Sequence, residues 1–401
     1  MRRKDISFLS ANSSTFTILF MYLLLFNPSN DMALAADAEC YVPPRNVRQM
    51  EEDLAMFPWV WADGDCVVVP ANDFQGGEID FLHCIPKPWG WSKSLKHKLL
   101  QRGVLEENMP SDEKLDLWRG WSSREFAAQY IHRFLNEVEE EKKTVFVGDE
   151  MRFCTRMEDI LWNESYPCIL KSPWSSSGRG VFVAEGMNER IRERIEGVLR
   201  NQGGILVDKF YRKRLDFAME FEANGTGEVV FLGYSVFQAA EDGKYGGNIV
   251  ASQKHLQEEL QAVCGKERME VLKKTIGLHQ RLLADAFQGR YVGPVGIDML
   301  MCEEDGEIKI HPCVEINLRM NMGIVAIRLA EKLDELKMMV QQGMGYDECR
   351  KNQRFRFLDF LPEADFRSCI LSSTRLPLSP KREHGFQASV EGGKLVITFC
   401  S

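Results

Sequence analysis

Gly296-Ile297-Asp298-Met299-Leu300-Met301 is followed, seventeen residues on from Asp298, by Glu315-Ile316-Asn317-Leu318-Arg319. Both segments read as short apolar strands in which an acidic residue takes a place that should be apolar. Glu315 and Asn317 are two apart, so on a strand they point to one face while Ile316 points to the other. Asp305-Gly306 lies between the segments, which predicts a tight turn and makes them arms of a hairpin. Pairing would bring Asp298 beside Glu315 and Asn317. Two carboxylates and an amide oxygen on one sheet face make an oxygen-only set suited to Mg²⁺ carrying a nucleotide.

Upstream, Cys168-Ile169-Leu170-Lys171 reads as a strand ending in a lysine, and Ser172-Pro173-Trp174-Ser175-Ser176-Ser177-Gly178-Arg179-Gly180 as a loop rich in small residues. A second apolar strand, Val181-Phe182-Val183, returns from it. Small residues let the backbone approach an anion closely and line donors up on phosphate oxygens. Lys171 adds a point charge at the strand end. The order excludes a Walker loop, in which the lysine follows the glycines and a helix begins. A third apolar run, Gly204-Ile205-Leu206-Val207-Asp208-Lys209-Phe210, ends in polar residues.

This ordered set, over about residues 145–345, resembles the ATP-grasp superfamily. The resemblance implies an α/β (α+β) fold in which two α+β subdomains grip the nucleotide behind a small α/β domain. It implies that Lys171 and Ser175, Ser176, Ser177, Gly178, Arg179 and Gly180 bind phosphate. Val207, Asp208, Lys209 and Phe210 would form the hinge beside the nucleotide, and Asp298, Glu315 and Asn317 would hold one or two Mg²⁺, a site that Mn²⁺ can also fill. Arg319 would contact the transferring phosphoryl group or the substrate carboxylate. The chain departs from the family in having Asp208 where glutamate is commoner and a loop richer in serine than glycine. The activity implied is ATP-dependent conversion of a carboxylate to an acyl phosphate, which an amine or thiol then attacks. A kinase acting on a hydroxyl and a non-catalytic nucleotide-binding module are the competing readings; intact metal ligands argue against the last.

The chain's 401 residues suffice for two or three domains with proper cores. Hydrophobic content of 44% and charged content of 27% are those of an ordinary globular protein. A net charge of −9 argues against a nucleic-acid surface and makes phosphate binding a local matter. The 11 cysteines show no C-x-x-C spacing and read as reduced thiols. The expected partners are ATP and small carboxylate and amine substrates, with no nucleic acid and no membrane; a homo-oligomer is compatible with the sequence.

Residues 1–36 support two readings. Met1-Arg2-Arg3-Lys4, an apolar run from Thr15 to Phe26 and Ala33-Leu34-Ala35 imitate an export signal. Alternatively Tyr22–Phe26 is the first strand of an α/β domain, Asn27–Asp31 its loop with Asn30 or Asp31 as helix cap, and residues 1–20 an extension before a start at Met21. The second reading predicts a cytoplasmic protein, the first an exported one.

The anchors divide the chain into an extension (1–20), a small α/β domain (21–145), the grasp (146–345, hinge near 204–212) and a C-terminal extension (346–401) ending in a strand. Strands are expected at Cys66–Val69 and Thr144–Val147. Helices are expected at Ser123–Val138, 188–201 and Glu267–Gln288, an aromatic turn at Pro86–Trp91 and a loop at Tyr245–Asn248. Asp216 and Glu220 share a strand face, and Glu220 reads equally as a site residue or as a salt-bridge partner of Arg212 or Arg214; Asn248 reads as a loop residue or a substrate contact, and His311 as an ordinary hairpin residue.

Overall fold

The structure is a computed structural model, and it describes residues 21–64, 66–69, 81–160, 167–175, 180–239, 245–372, 375–381 and 383–400. Three sheets organise it. The first is parallel, with β1 (Met21–Leu25) between β2 (Cys66–Val69) and β3 (Cys84–Pro88). Around it lie α1 (Asn30–Ala36), α2 (Arg45–Asp53) and α3 (Lys93–Gln101). Two further helices, α4 (Asp112–Trp121) and α5 (Arg124–Glu137), lead to the second sheet.

That sheet is small and antiparallel, in the order β4 (Arg152–Cys154), β7 (Ile205–Lys209), β5 (Cys168–Lys171), β6 (Val181–Ala184). Helix α6 (Glu189–Gln202), capped by Asn188, covers one face through Ile195, which packs with Leu170, Ile205 and Val207. Cross-strand partners share a face in an antiparallel pair. Lys171 opposes Leu206 and Ile169 opposes Asp208, so Lys171 and Asp208 both lie on the face away from α6, the one that packs toward α5 and the large sheet.

The third sheet has eight antiparallel strands. Its first half is β12 (Glu307–Asn317), β11 (Val292–Glu304), β8 (Arg212–Asn224) and β9 (Val229–Ala239); β10 (Tyr245–Ile249), β15 (Lys394–Cys400), β14 (Gly385–Glu391) and β13 (Arg375–Pro377) complete it. Helices α7 (Gln253–Lys274) and α8 (Ile276–Phe287) cover one face, where Leu256, Leu260, Leu282 and Leu283 meet Phe217, Met219, Ile297 and Ile316. Helix α9 (Met322–Gln341) packs on the other. Its core cluster also takes Phe26, Leu54, Phe57 and Trp89 from the first domain and Ala388, Val390 and Leu395 from β14 and β15. No described helix is long and apolar enough to cross a membrane.

The expected α+β class holds, with several local corrections. Residues Glu140–Val145 form a 3-10 helix rather than a strand; Lys309 Nζ on β12 donates to Thr144 O at 2.8 Å, and Phe146, just after, makes an isolated bridge to Ile310. The helix expected over Glu267–Gln288 is broken at Thr275, between α7 and α8. Tyr245–Asn248 is strand, not loop, because β15 supplies a neighbour for it: Asn248 pairs with Leu395 and is buried. Pro86 and Lys87 belong to β3, so the aromatic turn expected at Pro86–Trp91 starts only after Pro88, with Trp89 packed in the core. Ser29, not Asn30 or Asp31, occupies the cap position of α1. Residues 1–20, on which the competing N-terminal readings turn, lie outside the described residues.

Candidate active site

The hairpin forms with a two-residue turn at Asp305-Gly306, both at positive φ (51° and 77°), between the paired Glu304 and Glu307. That is the geometry an Asp-Gly pair favours. Asp298 lies directly across from Glu315 and Gly296 across from Asn317, so all three predicted ligands share one face. The Asn317 side chain hydrogen-bonds Asp298. A register shift between Asp298 and Leu300 sets the hairpin out of step just beside these residues, as bulges near functional sites do.

Burial, then the charges of Glu315 and Glu220, push the Asp298 carboxyl well above its ordinary range. A pair of facing carboxylates that raises its own proton affinity would be relieved by a divalent cation. Among the described residues no cluster of three or more His, Cys, Asp or Glu is disposed to hold a metal. Two carboxylates and an amide oxygen still fit Mg²⁺, which usually takes one or two protein carboxylates and completes its shell with phosphate and water.

Arg319 follows the hairpin directly and is clamped by Asp31 of α1, with Nε donating to Oδ1 at 2.9 Å and Nη2 to Oδ2 at 2.8 Å. The fork is bidentate, the strong form of this contact. Asp31 thus does more than begin a helix: it carries the first domain into the site. A backbone contact reinforces the junction, since Met320 N–H donates to Trp89 O at 2.7 Å.

Lys171 is buried at the end of β5, and burial lowers its ammonium pKa against the opposing pull of Asp208 and Glu315. Ser175 and Gly180 are close at the base of the loop, where Ser172 N–H donates to Gly180 O at 2.9 Å and a Cβ on Gly180 would collide with Ser175. Ser176, Ser177, Gly178 and Arg179, the middle of the expected phosphate loop, lie outside the described residues. Trp174 anchors the near limb: its indole N–H donates to Arg119 O at 3.0 Å and the Arg119 guanidinium lies over its ring.

The hinge residues are placed differently from one another. Val207 faces the core under α6 and Phe210 is exposed. Asp208 is buried, with Oδ2 3.1 Å from His311 Nε2 and Oδ1 accepting from Lys209 N–H at 2.8 Å. Its side chain is therefore committed to the hinge itself rather than open to a ligand. Lys209 Nζ meets Glu304 Oε1 at 2.5 Å.

Glu220 lies on the same face as Asp298, since Gly296 pairs with both Asn317 and Glu220. It bonds neither Arg212 nor Arg214, which pair with Glu303. Instead it accepts from Ser235 Oγ and Asn321 Nδ2, each at 2.8 Å, and Asn321 caps α9 by accepting from Ile324 N–H. Burial raises the Glu220 carboxyl to about 7. Asp216 pairs with Lys213.

Sequence reasoning missed Arg124. Its guanidinium donates to Glu315 Oε2 at 2.7 Å, Ser175 Oγ at 2.8 Å and Ser172 O at 2.5 Å. The available signal was an arginine immediately after the Ser122-Ser123 pair, at the first position of a helix, where a cation is disfavoured.

A narrow cleft lies among Asp31, Ser122, Trp174, Ser175, Glu315 and Arg319. A second narrow cleft adjoins it through Asn30 and is lined by Asn27, Ser29, Tyr41, Glu51, Ser92 and Lys98, beyond the C-terminal ends of β1 and β3.

No protein-family model matches the chain, and no curated protein matches it in sequence. Among solved structures it is similar to a biotin carboxylase complex from Campylobacter jejuni (14% identity, covering 79% of this chain and 72% of that one, TM-score 0.41). It is also similar to an L-amino acid ligase from Bacillus licheniformis (14% identity, 76% and 68% covered, TM-score 0.39). A third is a D-alanine–D-alanine ligase from Bacillus anthracis (13% identity, 81% and 100% covered, TM-score 0.37). These likenesses are distant in sequence and in backbone.

Proposed function

We propose that the protein is an ATP- and Mg²⁺-dependent ligase that activates a carboxylate as an acyl phosphate for attack by an amine or thiol. The observation that carries this reading is the convergence of Asp298, Glu315 and Asn317 on one sheet face, with Arg319 beside them and Lys171 under their electrostatic influence from the other sheet. Mg²⁺ held by the three hairpin residues would supply Lewis-acid charge at the phosphates. Lys171 and the donors of the Ser172–Gly180 loop would grip the phosphate oxygens, with the hinge backbone at Lys209 and Phe210 beside the base.

Phosphoryl transfer spreads charge over the transferring group, and positioning plus electrostatic stabilisation supplies most of the rate. Arg319, pre-set by Asp31, would stabilise that charge and the carboxylate it reaches. The second cleft, polar and next to Asn30, is the natural place for the carboxylate or its nucleophile, at the strand ends where parallel sheets bind ligands.

The reading is tested by thermal unfolding with and without millimolar ATP and Mg²⁺, followed by a screen of amino acids and small carboxylates for ADP release. A ligand that binds only the folded state raises the melting temperature. Wild type should show the rise, and Lys171→Ala should lose most of it. No shift for wild type would overturn the reading, and phosphate kept on a hydroxyl product would replace ligase with kinase.

A further inference from the structure

Arg124 is the first residue of α5, and its side chain is 4% exposed. A cation at the positive end of a helix is in an unfavourable place, and burial adds a desolvation cost. What compensates it belongs to two other elements: the Glu315 carboxylate on β12, and Ser172 and Ser175 in the small-residue loop. The Arg124 backbone N–H donates to Pro173 O at 3.1 Å, so the same residue holds the loop twice. Yet its Nε is buried with no hydrogen-bond partner among the described residues. A guanidinium beside a metal-ligand carboxylate and a phosphate loop, with one donor unspent, is built for an anion that is not part of the protein.

We infer that Arg124 is an electrostatic placeholder: its guanidinium neutralises Glu315 until a divalent cation arrives, and then turns to the phosphate that accompanies the cation. This rests on the nucleotide reading above, and it names the ligand at this corner as a metal-bound polyphosphate. Arg124 is then a positioning residue in the absence of ligand and a phosphate contact in its presence.

The test separates metal alone from metal with nucleotide. Mn²⁺ is titrated into full-length wild type, Arg124→Gln and Arg124→Lys, with free Mn²⁺ followed by its electron paramagnetic resonance signal; ATP is then titrated at saturating Mn²⁺. Removing a charged hydrogen bond that competes for Glu315 should tighten Mn²⁺ binding by Arg124→Gln roughly tenfold, while ATP affinity falls by at least as much. Arg124→Lys keeps the charge and loses the fork, so Mn²⁺ binding should stay near that of wild type while ATP affinity falls. A merely structural arginine would weaken both kinds of binding when replaced. Unchanged or weaker Mn²⁺ binding by a cooperatively melting Arg124→Gln would overturn the inference, as would no Mn²⁺ binding by wild type and variant alike. If Arg124→Gln does not fold, wild-type ATP affinity in Arg124→Lys overturns it instead. Mn²⁺ binding that tightens as expected, with ATP bound by none of the three proteins, would sink the nucleotide reading and the phosphate half of the inference, leaving the Glu315 half in place.

Discussion

Asp208 on β7 and His311 on β12, both buried, meet at 3.1 Å where the small sheet passes into the large one. Burial alone would lift the Asp208 carboxyl, but His311 and Lys171 together bring it below its ordinary value. Asp208→Ala should cost about 2 kcal/mol, as should His311→Ala, since each leaves a buried polar group unpaired. Urea unfolding should show lower midpoints with unchanged slopes. The double variant should lose little more than either single one; additive losses would mean that the two do not act as a pair. The sign with pH follows from the depressed carboxyl: its stabilisation is present above the ordinary aspartate range and fades as pH falls through the folded value. The gap between wild type and Asp208→Ala should therefore close in acid.

Glu220 runs the other way. Its ordinary value of 4.5 is raised to about 7 by burial, so the folded state keeps a proton that the unfolded chain releases between these values. The two states match below 4.5, and the folded state loses ground as pH rises to 7, by about 3 kcal/mol in all. Glu220→Gln is neutral at every pH. Its stability relative to wild type should grow from pH 4.5 and level off above 7, and a pH-independent difference in chemical denaturation would refute a buried, protonated Glu220.

Glu315→Gln removes one negative charge from the hairpin and leaves Arg124 facing an amide. Turnover should fall by orders of magnitude and recover in part with raised Mg²⁺, because fewer carboxylates hold the cation less well. Stability should fall by about 1–3 kcal/mol through the weakened Arg124 contact. Near-normal ADP release with any identified substrate would remove this hairpin from the active site.

Arg319→Lys keeps the charge but cannot reproduce the fork on Asp31. We expect ADP release to drop at least tenfold with ATP affinity almost unchanged, and raised Mg²⁺ to give no recovery, unlike Glu315→Gln. Asp31→Asn should mimic it more mildly, since Arg319 stays in place but loses its charged anchor. Equal losses in ATP affinity and turnover would assign Arg319 to ground-state binding instead.

The hairpin was legible because its evidence is local: alternation, an Asp-Gly turn and two polar residues two apart fix which side chains share a face. The Lys171 strand and the hinge strand were legible for the same reason. Arg124, Asp31 and His311 were not, because what makes them part of the site is a partner 191, 288 and 103 residues away. Asp208 showed a polar end to an apolar strand, but not that a histidine on another sheet would claim it. Tyr245–Asn248 resembled a loop because its two glycines hide a strand that pairs irregularly with β9 and takes its second neighbour, β15, from far along the chain. Thr144–Val147 had the composition of a strand, but its pairing with β12 stops at a single bridge, from Phe146 to Ile310.

Strands β14 and β15 have a bearing on synthesis. Asp53 Oδ2 accepts from Phe386 N–H at 2.9 Å across 333 residues, and Leu54 and Phe57 share their core with Ala388, Val390 and Leu395. A ribosome delivers the parallel sheet long before it delivers what seals that sheet's flank. Phe57 waits for α9 and residues 353–360, and α2 waits longer still, for β14, a long-range closure of the kind that folds slowly and invites chaperone capture. Strands β14 and β15 thus close a flank of a domain that begins more than three hundred residues earlier.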